Sequence, residues 1–158
     1  MTTEGNKPST SFWIVSVLLL LWNLSGAMAY ISQVTMTPED LQALPENQRT
    51  LFETIPAWVT SAFAIAVWGG VLGSILLLLR KKIATTTLIV SFAAIIVQFS
   101  YTFLIANTLE LMGPSSLILP CAIIAIGAFG VWYSRNADSK GLLTGKGLRL
   151  RSGGETLL

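Results

Sequence analysis

Four long apolar segments without any Asp, Glu, Lys or Arg constrain this chain more than any other feature. They cover about Phe12–Gln33, Ala57–Leu79, Thr85–Ala106 and Ser116–Tyr133. Each is close to the ~20 residues that a helix needs to cross a hydrocarbon core of about 30 Å. Because lipid offers no hydrogen bonds to the backbone, spanning segments of this kind form helices. The sequence therefore predicts an all-α integral membrane protein in which residues 1–133 form one four-transmembrane-helix bundle.

The first segment also admits a different interpretation, because Ala27-Met28-Ala29 has the small-x-small pattern that precedes signal-peptide cleavage. Its apolar character, however, continues from Phe12 to Ile31. A signal peptide usually has an apolar core of only about 7 to 15 residues, followed by a polar break. We therefore expect a retained membrane helix, in which Asn23 is a buried amide that needs a partner.

The composition argues against most enzyme chemistry. Histidine is absent and the one cysteine is Cys121. His-ligated haem, His-containing zinc sites, a Ser-His-Asp triad and an intrachain disulfide are thereby excluded. Since the four segments also lack paired acids, we expect no enzymatic activity, no cofactor and no bound metal.

Basic residues are concentrated on one side of the predicted bundle. That side carries Lys7, Arg80, Lys81, Lys82, Arg135, Lys140, Lys146, Arg149 and Arg151. The opposite side has only Arg49, together with Glu39, Asp40, Glu46, Glu53 and Glu110. Because Lys and Arg are retained in cytoplasmic loops, we expect both termini in the cytoplasm.

The first outer loop, residues 34–56, carries the signals of a helix start. Thr37-Pro38-Glu39-Asp40 has the order of an N-cap, a proline at the first helical position and acids in the first turn. Pro45 is expected to kink or restart this helix, which then presents an apolar stripe of Leu41, Leu44, Leu51, Phe52 and Ile55. This short amphipathic element is either a packed or interfacial connector or a lid over an outward-facing cavity.

Residues 134–158 combine five basic residues with five glycines and lack a helical apolar period. We expect a flexible, basic cytoplasmic tail. Its charge either sets the topology or also binds anionic lipid.

Small residues recur along one side of the second segment. Ala62, Ala66, Gly70 and Ser74 are spaced by four residues, and Gly69 with Gly73 forms a GxxxG pair. Membrane helices associate through close packing at such positions. Another helix is therefore expected to pack there, either from the same chain or from a second copy.

Two amides and three aromatic residues are the candidates for polar chemistry inside the bundle. Asn23 and Gln98 are predicted near mid-membrane, where an unpaired amide costs several kcal/mol by the scale for unsatisfied polar groups, of the order of 2–7 kcal/mol. One interpretation is a hydrogen bond between them or to a backbone carbonyl. The other combines both with Trp22, Trp68 and Tyr101 to bind a small neutral, sugar-like solute.

Three stretches carry a resemblance to known proteins: "LLWNLSGAMAYISQ", "PAWVTSAFAIAVWGGVLGSILLLLRKK" and "VQFSYTF". Over about Phe12–Tyr133 the chain resembles a group of small uncharacterised bacterial membrane proteins, some of which carry the automatic label "sugar transporter". The resemblance implies four helices in a bacterial inner membrane.

The sequence thus predicts a non-enzymatic multi-pass protein that acts through helix packing, as a homo-oligomer or as an accessory subunit of a larger membrane complex. The alternative is a facilitative transporter or channel for a small neutral polar solute. A coupled carrier is disfavoured because such carriers usually keep a charged residue within the membrane. Besides the lipid bilayer and such protein partners, no nucleic acid is expected as a partner.

Overall fold

A computed structural model describes residues 7–106 and 108–145. Its four long helices are α1 (Thr10–Val34), α4 (Ala57–Leu78), α5 (Ile83–Leu104) and α7 (Ile118–Ser139). Together with the short 3-10 turn Pro114–Leu117 before α7, all four are long and apolar enough to cross a membrane. The predicted all-α, four-span fold is confirmed, and it is that of a multi-pass membrane protein.

Two short helices fill the first loop, α2 (Pro38–Ala43) and α3 (Glu46–Thr54), and α6 (Thr108–Met112) lies in the second. The Thr37 side chain accepts the Asp40 backbone N–H, and the Asp40 carboxylate accepts the Thr37 backbone N–H, which completes a capping box. Helix α2 ends at Ala43, two residues before Pro45, because proline cannot continue a helix. Helix α3 then begins at Glu46. The predicted stripe is the less exposed side of this loop: all of Leu41, Leu44, Leu51, Phe52 and Ile55 are half-buried.

Helix α4 is the centre of the bundle. Helices α1 and α5 both pack along it, and α7 packs on α5. Helices α1 and α7 approach each other much less closely, although they flank the same interior. The four helices therefore form an incomplete ring with a gap between the first and the last.

The two ends of the bundle differ in character. We name the end that carries Arg80, Lys81, Lys82, Arg135 and Lys140 the basic end, and the end that carries α2, α3 and α6 the loop end. At the basic end a tight core joins all four long helices, and its buried members are Phe12, Leu19, Leu77, Ala84, Ala137 and Leu143. The rings of Phe12 and Tyr133 stack there with their centres 6.4 Å apart, so α1 and α7 do meet at this end.

The chain after residue 133 differs from the predicted flexible tail. Helix α7 continues to Ser139, and residues 140–145 fold back onto the turn between α4 and α5. Arg80 Nε donates to the Leu142 carbonyl over 2.7 Å, and Lys82 N donates to the Thr144 carbonyl over 3.2 Å. Leu143 is only 3% exposed, because it enters the core at the basic end. The predicted flexibility of the rest of the tail concerns residues 146–158, which lie outside the described residues.

Candidate ligand cavity within the bundle

The side-chain amide of Asn23 on α1 is held against α4 by hydrogen bonds. Its Nδ2 donates to the Leu19 carbonyl over 2.8 Å and to Ser74 Oγ over 3.1 Å. The Ser74 hydroxyl in turn donates to the Gly70 carbonyl over 2.8 Å. Because a side-chain amide has two N–H donors, both donors of Asn23 are used. Of the partners that the sequence analysis considers for Asn23, the structure shows a backbone carbonyl, that of Leu19 in its own helix, and it adds Ser74 of α4.

The small residues of α4 are covered by helices of the same chain. A Cβ added at Gly70 would overlap the Asn23 amide, and one added at Gly73 would come within 2.7 Å of the Leu88 side chain on α5. At Gly69 it would lie 3.1 Å from Cβ of Ser91, also on α5. The remaining members of the stripe, Ala62, Ala66 and Ser74, are 8%, 4% and 0% exposed. The helices that pack on this stripe are thus α1 and α5.

A cavity of about 260 Å³ lies between the four long helices. Aromatic and aliphatic side chains make most of its wall, among them Trp22, Phe63, Phe92, Phe99, Ile123 and Ile126. Its size is slightly below the ~300–1,000 Å³ of pockets for drug-sized ligands. Within residues 7–106 and 108–145, the side chains that line it include no Asp, Glu, Lys or Arg.

The cavity is closed at the basic end. Leu19 lines the cavity and also belongs to the core there. A Cβ added at Gly130 of α7 would lie 3.6 Å from Cδ2 of Leu19, so α1 and α7 are in contact at this level. The packed basic end leaves the cavity without a continuation in that direction.

The open side of the cavity lies between α1 and α7. Ser25 and Ala29 of α1 and Leu119 of α7 line the cavity and are nevertheless exposed, Leu119 to 63%. These residues form the rim, and they lie in the half of the bundle that is nearer the loop end. Because the opening lies between two helices that are long and apolar enough to span a membrane, it faces the surface that lipid would cover.

Gln98 lines the cavity but does not meet Asn23. Ser91 lies opposite Gly70 and therefore at the level of Asn23. Gln98 follows Ser91 by seven residues, which is a helix rise of about 10 Å toward the loop end. Among the described residues the Gln98 side chain has no hydrogen-bond partner. The expected bond between the two amides is not formed, because the packing of α1, α4 and α5 sets them at different depths.

Of the other candidate residues, Trp22 lines the cavity and is half-buried. Trp68 is 48% exposed and points away from the cavity that Ala66 and Val67 line. Tyr101 lies beyond the cavity: its hydroxyl donates to the Thr54 carbonyl over 3.1 Å, and its ring packs edge-on against Trp58. The structure thus brings Trp22, Asn23 and Gln98 to one cavity and leaves Trp68 and Tyr101 outside it.

The sequence analysis missed the three phenylalanines of the wall, Phe63, Phe92 and Phe99. A further missed residue is Gly127, which lets α7 approach α5: a Cβ added there would come within 2.9 Å of the Phe92 ring. This glycine was the available signal, because a glycine within an apolar span marks a close helix approach.

The acidic and thiol side chains of the described part of the chain lie outside the cavity lining. No group of His, Cys, Asp or Glu side chains is arranged there to hold a metal ion. Cys121 is a free, exposed thiol outside the cavity lining.

The fold and the cavity define a four-helix membrane protein with an uncharged intramembrane pocket. Comparison of the chain with protein-family models, with curated proteins and with solved structures finds no match.

Proposed function

We propose that this chain is a non-enzymatic membrane protein that binds a small, mainly apolar molecule in the cavity between its four long helices. The observation that carries the proposal is the cavity itself: it is apolar, uncharged, closed at the basic end and open between α1 and α7. Pockets of this kind, mostly apolar with a few placed polar groups, are typical of small-molecule sites.

A sugar-like solute, carried by a transporter or channel, matches the cavity less well. Such a solute brings several hydroxyls, and a buried hydroxyl without a partner costs about 1–3 kcal/mol. The N–H and O–H donors of Asn23, Ser25 and Ser91 are already used, with Ser25 donating to the Trp22 carbonyl and Ser91 to the Ala66 carbonyl. Few groups are left to replace the water that a sugar would lose.

The small-residue stripe of α4 is the sequence feature that favours an oligomeric or accessory role. That stripe is covered by α1 and α5 of the same chain, so it gives no reason to expect a second copy or a larger partner. The cavity is therefore the stronger basis for a function.

The proposed location is a bacterial inner membrane with the basic end in the cytoplasm. The excess of Lys and Arg at this end supports the orientation. The resemblance of Phe12–Tyr133 to small bacterial membrane proteins supports the location.

Fluorescence quenching tests the proposal, because the chain offers a tryptophan in the cavity and one outside it. Two variants are made in which Trp22 or Trp68 is the only tryptophan and the other four are Phe. Each is placed in lipid nanodiscs and titrated with bromodecane, whose bromine quenches indole at short range. We expect saturable quenching of Trp22 and a linear, partition-limited response of the exposed Trp68.

A blocking variant provides the matched control. Ala29→Phe fills the rim of the cavity, whereas Ala93→Phe adds the same ring at an exposed position of α5 that does not line it. Saturable quenching of Trp22 should be lost with Ala29→Phe and kept with Ala93→Phe. A linear response of Trp22 in the otherwise unblocked protein would contradict the proposal.

A further inference from the structure

The Gln98 side-chain amide, whose donors and acceptor bond to no described residue, lies at a defined depth in the cavity. Gln98 is about 10 Å nearer the loop end than Asn23 and Ser91, by the rise of seven helical residues. Its amide offers donors and an acceptor that no other described residue uses. Below it, toward the basic end, the wall consists mainly of Phe92, Ile95, Ile126 and other apolar residues.

The cavity therefore has amide donors free for a ligand at the level of Gln98, and a mainly apolar wall below it, where the donors of Asn23 and Ser91 are already used. A molecule that fills it places apolar atoms against the aromatic and aliphatic wall and one hydrogen-bonding group at Gln98. A purely apolar molecule would cover the Gln98 amide and leave it buried without a hydrogen-bond partner, which would cost binding free energy.

The charge of the hydrogen-bonding group is also constrained. The lining residues that the structure describes include no Lys or Arg to pair a phosphate or carboxylate, and no Asp or Glu to pair an amine. A buried unpaired charge is far more costly than a buried hydroxyl or carbonyl. The head group must then be neutral.

The following inference rests on the proposed binding function. We propose that the ligand is an uncharged amphiphile with a single head group: an aliphatic chain or ring that carries one hydroxyl or carbonyl group. It lies along the bundle with this head group hydrogen-bonded to Gln98 and its apolar part directed toward Trp22 and the closed basic end. The gap between α1 and α7 admits it from the bilayer, because this gap is the side on which the exposed rim residues Ser25, Ala29 and Leu119 lie.

The test compares two probes in the nanodisc sample that keeps Trp22 as its only tryptophan. One is ω-bromodecanol, with bromine and hydroxyl at opposite ends, and the other is bromodecane, which lacks the hydroxyl. We expect the alcohol to bind about five-fold more tightly, the factor that corresponds to one hydrogen bond of typical net strength.

Two amide substitutions separate the role of Gln98 from a general effect of polarity. Gln98→Leu should remove the preference for the alcohol and keep saturable binding of bromodecane. Gln33→Leu is the matched control, since Gln33 is also half-buried on a long helix but does not line this cavity. It should leave the preference unchanged.

The orientation is tested with a decanol that carries its bromine on the carbon next to the hydroxymethyl group. Since this end is held near Gln98, it should quench Trp22 less at saturation than ω-bromodecanol does. Equal quenching by the two alcohols would overturn the orientation.

Each failure has its own signature. If bromodecane and ω-bromodecanol saturate with equal affinity, or if the preference survives Gln98→Leu, the assignment of a head group to Gln98 is wrong and the binding function stands. If neither probe saturates, the binding function itself is wrong.

Discussion

The side-chain amide of Asn23 occupies the space that a Cβ on residue 70 would need. An added Cβ would lie 2.8 Å from Cγ of Asn23 and closer still to its Oδ1, and 3.3 Å from Oγ of Ser91. Gly70 thus serves two contacts at once, one with α1 and one with α5. This three-helix contact lies directly beside the cavity, which both Asn23 and Ser91 line.

Gly70→Ala should therefore destabilise the bundle. Overpacking of a well-packed interior costs about 1–3 kcal/mol, and here the neighbours are an anchored amide and a serine hydroxyl that donates to the Ala66 carbonyl. Reversible unfolding in mixtures of mild detergent and sodium dodecyl sulfate measures the change in the free energy of unfolding.

Gly26→Ala is the control for this substitution, because its added Cβ would meet Cγ1 of Val67 at an ordinary 3.5 Å. It should be close to neutral. In an Asn23→Ala background the cost of Gly70→Ala should fall, since the main obstacle is gone. An equal cost in both backgrounds would show that Asn23 does not limit the approach.

Asn23→Ala by itself should cost about 0.6–2 kcal/mol, the range for interhelical hydrogen bonds in membranes, because it removes the bond to Ser74. Gln98→Ala should cost clearly less, since the Gln98 amide bonds to no described residue. The same unfolding assay compares the two variants. A larger loss with Gln98→Ala would mean that its amide has a structural partner.

A charged side chain in hydrocarbon costs much free energy. The four spans were predictable for this reason, because a stretch of about 20 apolar residues without charge marks a helix that crosses the membrane. The start of α2 was predictable for a local reason: Thr37, Pro38 and Asp40 act within one turn. Both signals depend only on residues that are neighbours in sequence.

The rotation and register of the helices were not predictable in the same way. Lipid is as apolar as a packed interior, so a membrane helix carries little amphipathic signal to mark its inner face. The sequence accordingly groups Trp68 with Trp22 as candidate ligand residues, although α4 turns Trp68 outward. It also offers an Asn23–Gln98 bond as one alternative, although packing offsets the two residues along the bundle. Such long-range relations depend on small residues such as Gly70 and Gly127, whose neighbours the sequence does not name.

The capping box of α2 predicts a pH dependence. The Thr37 backbone N–H, and to a lesser degree its hydroxyl, hold the pKa of the Asp40 carboxyl below its ordinary value of 3.8. Since the folded state lowers this pKa, the stabilisation of α2 is fully present above pH 3.8. It is lost as the pH falls below that value through the folded-state pKa. Carboxyl chemical shifts in a nuclear magnetic resonance titration follow this change.

Thr37→Val should raise the pKa of Asp40 only part of the way toward 3.8, because the backbone donor, the larger of the two causes, remains. Thr50→Val is the control, since the Thr50 hydroxyl donates to the Glu46 carbonyl of α3 and does not touch Asp40. An Asp40 pKa that is unchanged by Thr37→Val would show that the hydroxyl bond is not populated.

Leu143 couples the segment after α7 to the basic end of the bundle. The substitution Leu143→Ala should cost about 2–5 kcal/mol, the range for truncating a buried leucine, because this side chain is 3% exposed within the core that includes Phe12 and Leu77. Leu104→Ala is the matched control at 80% exposure and should cost little. Loss of the Leu143 side chain should also make residues 140–145 sensitive to protease while the four spans stay folded. The hydrogen bonds from Arg80 and Lys82 to Leu142 and Thr144 remain, but the buried apolar contact is gone. Equal protease resistance in both variants would mean that these hydrogen bonds suffice without the buried leucine.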